Sequence, residues 1–198
     1  MTLVSKLQSK NVKKTDIEYP GLLMRKNAVL MLTGEFNQAN IMPLVQDIME
    51  YNFLPEKDQP EHLTLVINSP GGAVHSAFHL IDVMKTSRIP IHTYAQGMIA
   101  SCGVLAFMAG EQGHRYITHN TSVMSHQYSW GSEGKEHELY AKIKEFELSS
   151  KRIEDHYKSC TKKSRQYIRK HLLTESDVWM DANEALEHNI ADKVVRTY

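Results

Sequence analysis

The sequence predicts an α/β fold built on a largely parallel sheet. Two observations carry this. Short apolar runs (residues 28–32 and Leu63–Ile67) read as buried strands, and Ile91–Ala95 reads as another strand. Between them lie segments whose apolar residues recur at helical spacing, so strands alternate with helices.

The first strand, Ala28–Leu32, stops at Thr33-Gly34, and a helix follows through Ile41, Leu44, Val45, Ile48 and Met49. Pro43 is expected in its first turn, where the missing N–H costs little. Pro55–Pro60 reads as a charged loop before the Leu63–Ile67 strand. Val74, Ala77, Phe78, Ile81 and Met84 mark the next amphipathic helix, and Ser101–Ala109 a further apolar one. Arg115–Thr118 and Val123–His126 read as strands. A long charged helix begins near Lys135, with Leu139, Ile143, Phe146, Ile153 and Tyr157 on one stripe. A shorter helix covers about Ser164–Leu172. Asp181 followed by Glu184 is a capping-box pattern opening a last helix, and Val194-Val195 ends the sheet.

At 198 residues the chain reads as one domain, 19–198, behind a polar, lysine-rich arm at 1–18 that is mobile or ordered by a partner. Lys+Arg and Asp+Glu both number 23, giving a formal net charge of +0, so no general attraction to nucleic acid or an anionic membrane is expected. No apolar run approaches a membrane span, and the lysine-rich start has no apolar block after it. The two cysteines, Cys102 and Cys160, lack metal-type spacing and point to a reducing, cytoplasmic setting. No His pair carries a carboxylate pattern that reads as zinc, and no cofactor is expected.

Three signatures carry chemistry: Asn68-Ser69-Pro70-Gly71-Gly72, Gly97 through Ser101-Cys102-Gly103, and Met124-Ser125-His126-Gln127. Gly71-Gly72 sits between a strand and a helix N-terminus, where Gly72 can present its N–H to an oxyanion; a plain tight turn is the competing reading. Ser101 follows a strand and opens a helix, beside the Cys102 N–H. It reads either as a nucleophile or as a helix N-cap. His126 ends a strand-like run and supplies a base. Cys102 reads as a small inward-facing apolar residue rather than a thiol nucleophile.

Taken as a set and in this order, these motifs resemble the ClpP family of self-compartmentalising serine peptidases. Leu32-Thr33-Gly34 and the tail from Ala182-Asn183-Glu184-Ala185 to Ala191-Asp192 extend the resemblance over about Ile17–Val195. It implies the ClpP/crotonase-like fold with a protruding handle helix at about 135–158. It further implies Ser101 as nucleophile, His126 as general base, Gly72 and Cys102 as oxyanion donors, and 127–134, beginning at Gln127, as the stretch pairing with an extended peptide. Stacked heptameric rings and an AAA+ unfoldase partner (ClpX, ClpA or ClpC-like) are also implied. The family commonly has an Asp just after the penultimate helix. Alignment from Thr161 puts His171 there, and alignment from the tail puts Leu173 there; neither can orient an imidazolium. Asp177 is the leading substitute, with Glu175 the alternative. Cys102 stands where the family usually has Met. Two other functions stay open: a catalytically weak or inactive structural ring subunit, and a crotonase-type acyl-CoA enzyme, which would need a Glu acid/base in place of the Ser–His pair.

Overall fold

The computed structural model describes residues 22–196 other than 130 and 132. The expected arm, 1–18, lies outside them. In chain order the elements are α1 (Leu22–Lys26), β1 (Val29–Thr33), α2 (Gln38–Phe53), β2 (Leu63–Ser69), α3 (Val74–Thr86), β3 (Ile91–Ala100), α4 (Cys102–Met108), β4 (Arg115–Thr118), β5 (Ser122–Ser125), α5 (Glu136–Thr161), α6 (Arg165–His171), β6 (Val178–Met180), α7 (Ala182–Glu187) and β7 (Lys193–Val195). The mixed α/β architecture with a mostly parallel sheet is as expected.

The sheet runs β1-β2-β3-β4-β7, all parallel, because each connection is a crossover through helix or loop. β3 is twice the length expected. Its first half pairs with β4 (Thr93↔Arg115 to Ala95↔Ile117) and its second with β5 (Met98↔Ser122 to Ala100↔Met124). Gly97 marks the changeover at φ 73°, a conformation that favours glycine. There the β2–β3 register shifts between Ile67 and Ser69, and Asn68 Oδ1 accepts the Met98 N–H at 3.2 Å. β6, unforeseen in the sequence, pairs antiparallel with β5 (Ser125↔Val178).

The helices follow local signals. Asn37 caps α2 by accepting the Asn40 N–H at 2.9 Å, Ser164 caps α6, and Asp181 with Glu184 forms the expected box on α7. Pro43 lies deeper than expected, in the second turn of α2. It is exposed, so the carbonyl left without a donor can face water. Met49 turns outward at 46 % exposure, off the buried stripe. The long helix ends at Thr161, three residues beyond expectation, where Lys162 adopts φ 60°. Its predicted stripe is buried only in the second half, at Ile153 and Tyr157; Tyr140, Ile143 and Leu148 are exposed. No helix among the described residues is long and apolar enough to cross a membrane.

Arg115 is 2 % exposed and holds the sheet to the C-terminal segment. Its guanidinium donates to both Asp192 oxygens (2.8 and 2.5 Å) and to the Cys160 carbonyl at 3.3 Å. Burial alone would raise the Asp192 carboxyl, but hydrogen bonds from Arg115 and the guanidinium charge, with a further bond from the Gly113 N–H, hold it below its ordinary range. Asp192→Ala strands the buried cation and is expected to cost about 3–5 kcal/mol in denaturant unfolding; a loss within experimental error would contradict the pairing.

His156 joins α5 to α4 by donating Nε2–H to the Leu105 carbonyl at 2.8 Å. Burial lowers its pKa from 6.5 to about 4. The folded state therefore keeps His156 neutral where the unfolded chain takes a proton. Its contribution to stability is full above pH 6.5 and is lost as pH falls toward 4. Unfolding free energy measured across this window should fall less steeply in His156→Gln than in the native sequence, by roughly 3 kcal/mol in total. Equal slopes would contradict a buried neutral imidazole.

Candidate active site

Ser101 occupies the sharp turn between β3 and α4 at φ 53°, ψ −118°, a conformation rare for residues with a side chain. The backbone is held there. Its N–H donates to the Met124 carbonyl at 2.9 Å, and its own carbonyl accepts from Val104 and Leu105. The hydroxyl makes no cap hydrogen bond, which removes the N-cap explanation of this serine. It meets His126 Nε2 at 2.7 Å. β5 lies beside the second half of β3, so the residue after Ser125 arrives next to the residue after Ala100.

The glycine turn closes over this pair. A Cβ on Gly71 would lie 2.7 Å from Ser101 Cβ and 2.9 Å from the Ala100 carbonyl, so only glycine allows the approach. Gly72, at φ 142°, packs against the Phe36 backbone, where a Cβ would fall 2.5 Å from a carbonyl oxygen. The carbonyls and N–H groups of 71–73 that face Phe36 are paired: Phe36 donates to Gly71, and Ala73 donates to Phe36. Among the described residues neither the Gly72 N–H nor the Cys102 N–H donates to a backbone oxygen. Two such amide donors beside a serine hydroxyl match what a tetrahedral oxyanion requires.

Beside the pair opens a cavity of about 350 Å³, with Val74, Leu105, Met124, Ile153 and Tyr157 supplying apolar wall. Such a wall suits an apolar side chain. Met124 and His126 both face it, as alternation along β5 requires.

The acid side differs from the sequence expectation. His126 Nδ1 has the Ser129 hydroxyl at 3.4 Å, and no hydrogen bond or ion pair joins His126 to Asp177 or Glu175. Both carboxylates belong to exposed residues of the loop Thr174–Asp177, which is turned by the Thr174 hydroxyl donating to the Ser176 carbonyl at 2.5 Å. The two are not equivalent, however. Continuing the β5–β6 register by one residue sets His126 across from Asp177, with Glu175 two residues further out. His171 packs on Tyr167 at 4.5 Å between ring centres, and Leu173 is buried in the core.

Gln127 is exposed, but its Nε2 donates to the Leu173 carbonyl at 3.0 Å. The expected substrate-pairing stretch, 127–134, includes residues 130 and 132, outside those described; residues 127–129 carry no ladder. Sequence reasoning missed Ser129 and Tyr157. The first follows His126 at a spacing with no motif attached. The second was read only as part of a helical stripe.

Fold and site together define a class: a mixed α/β protein whose parallel strands deliver a serine, a histidine and a glycine turn to one cleft. The family model described as Clp protease matches residues 13–198. The chain belongs to the Clp protease family and carries a ClpP-like peptidase domain.

The Cys102 thiol donates to the Gly72 carbonyl at 3.2 Å, and burial pushes its pKa up to about 11. At pH 8 only about one such thiol in a thousand is ionised. Native protein is therefore expected to resist iodoacetamide at Cys102, with rapid alkylation only after unfolding, as read by peptide mass spectrometry. Fast alkylation of the native protein would contradict this environment.

Proposed function

We propose that this chain is the proteolytic subunit of a serine endopeptidase, with Ser101 as nucleophile and His126 as general base. The 2.7 Å contact between Ser101 Oγ and His126 Nε2, beneath two amide N–H groups that donate to no backbone oxygen among the described residues, is the observation that carries the reading. His126 Nε2 takes the hydroxyl proton as Ser101 Oγ attacks the peptide carbonyl. The oxyanion accepts from Gly72 N–H and Cys102 N–H. His126 then returns the proton to the leaving amine, and the acyl-enzyme forms. Water, deprotonated by His126, releases the acid product and restores the serine. Asp177 orients His126 once the loop brings it to Nδ1, a role its place opposite His126 in the strand register favours over Glu175.

The substrate is an extended, unfolded polypeptide bound largely through its main chain near Gln127, with an apolar side chain in the cavity. The assembly is a barrel of stacked heptameric rings in a cytoplasmic setting, fed by an AAA+ unfoldase. The exposed Tyr140, Ile143 and Leu148 on the first half of α5 suit a second copy of the chain. Phe53, 81 % exposed, with Met49 beside it on α2, suits a protein partner. One observation favours a second reading, the structural or weakly active ring subunit: the Nδ1 partner is a hydroxyl at 3.4 Å rather than a carboxylate. A crotonase-type acyl-CoA function has no comparable support, since a serine and not a glutamate faces the oxyanion donors.

A fluorophosphonate applied to the assembled protein should label Ser101, and Ser101→Ala should lower peptide turnover by about 10⁴-fold or more. Asp177→Asn should cost about 10⁴-fold in kcat, and Glu175→Gln only about threefold. Absence of label together with unchanged turnover in Ser101→Ala would refute the assignment. Labelling without turnover would favour the structural subunit.

A further inference from the structure

We propose that Ser125 is a positioning residue of this site, and that with Tyr157 it ties the wall of the substrate cavity to the loop carrying Glu175 and Asp177. The inference rests on the serine-peptidase reading above and adds to it what sets the position of the acid.

Ser125 precedes His126 on β5 and has 0 % exposure. Its neighbours Met124 and His126 line the cavity, and Ser125 does not. Ser125 Oγ lies 2.6 Å from the Tyr157 hydroxyl and 2.6 Å from the Leu172 carbonyl. Proton accounting fixes the direction of both bonds. A carbonyl can only accept, so Ser125 donates to Leu172; Ser125 has no second hydrogen, so Tyr157 donates to Ser125. Tyr157 is 2 % exposed, and what it offers the cavity is part of the wall. A continuous chain thus runs from cavity wall to phenol, to serine, to the carbonyl of Leu172, two residues before the acid loop.

The arrangement braces His126 from both sides. Ser125 holds the Leu172 carbonyl and Gln127 holds the Leu173 carbonyl, so two consecutive peptide units are tied to the residues flanking the imidazole. At the other end of the loop, Val178 pairs with Ser125 in the β5–β6 ladder. Both ends of Thr174–Asp177 are therefore fastened at the same strand position, and Ser125 takes part in both fastenings. Any movement that carries Asp177 to His126 Nδ1 occurs between these two anchors. A side chain that fills the cavity presses on Tyr157, and the hydroxyl pair transmits that displacement to Leu172.

The test uses the full chain in its assembled form, with Ser125→Ala, Ser125→Thr, Tyr157→Phe and the Ser125→Ala/Tyr157→Phe double variant. Assembly and melting temperature are checked first. Ser125→Ala should lower kcat and the fluorophosphonate labelling rate by roughly 10- to 100-fold with KM within about twofold, as a displaced but intact catalytic group does. Ser125→Thr should restore most of the rate. Tyr157→Phe should fall in the same direction, and the double variant should be no worse than Ser125→Ala, since both act along one chain. If Ser125→Ala fails to fold, Tyr157→Phe carries the same readouts. Native Ser101 that labels normally, with variants that label and turn over at the native rate, would overturn this inference and leave the peptidase reading standing. Native Ser101 that takes no label would remove both.

Discussion

The site depends on one constrained peptide unit. Ser101 sits at φ 53°, ψ −118°, where a residue with a Cβ costs roughly 1–3 kcal/mol. What offsets this is α4: every residue from Cys102 to Met108 is buried, so the helix cannot shift to relax the turn without exposing core. The Met124 carbonyl fixes the turn from the other side. The result is a serine whose hydroxyl is directed away from the helix it precedes and toward the imidazole of β5. A relaxed turn would let the hydroxyl cap α4, and the pair would be lost.

The second constraint is the divided service of β3. A strand that paired with β4 along its whole length would leave no room for β5, and His126 would end elsewhere. Gly97 at positive φ and the Asn68 side chain on the Met98 N–H allow the strand to shift register with β2 and hand over from β4 to β5. The same short β5 then takes β6 on its far side. One strand end thereby gathers the backbone anchor of Ser101, the His126 imidazole and the attachment of the loop Thr174–Asp177. This concentration explains why three residues far apart in sequence share one cleft, and why the acid loop is positioned relative to His126 rather than relative to the core.

Much of this was legible in the residues. The apolar strands, the Gly71-Gly72 turn, Ser101 at a strand-to-helix junction and His126 at a strand end all announce themselves by local composition, and the structure brings them together. Pro43 was misjudged because the Asn37 cap starts α2 at Gln38, ahead of the first apolar residue of the stripe, and Met49 because it lies at the edge of the face that Ile41, Leu44, Val45 and Ile48 bury. The first half of α5 carries an apolar stripe that this chain does not bury, since periodicity reports a face and not its occupant. β6 was missed because three residues, Val178–Met180, are too few for a period to register. The placement of Glu175 and Asp177 relative to His126 could not be read because it depends on the β5–β6 register and on side-chain bonds from Ser125 and Gln127, none of which leaves a pattern in the sequence.

The central claim is that Ser101, His126 and the amides of Gly72 and Cys102 act on one tetrahedral carbon. The most direct measurement is a crystal structure of the assembled protein carrying a peptide phosphonate or boronate. The account predicts a covalent bond to Ser101 Oγ, with one adduct oxygen about 2.7–3.1 Å from both the Gly72 and Cys102 nitrogens. An adduct on another residue, or one on Ser101 whose oxygen faces away from both amides, would contradict it.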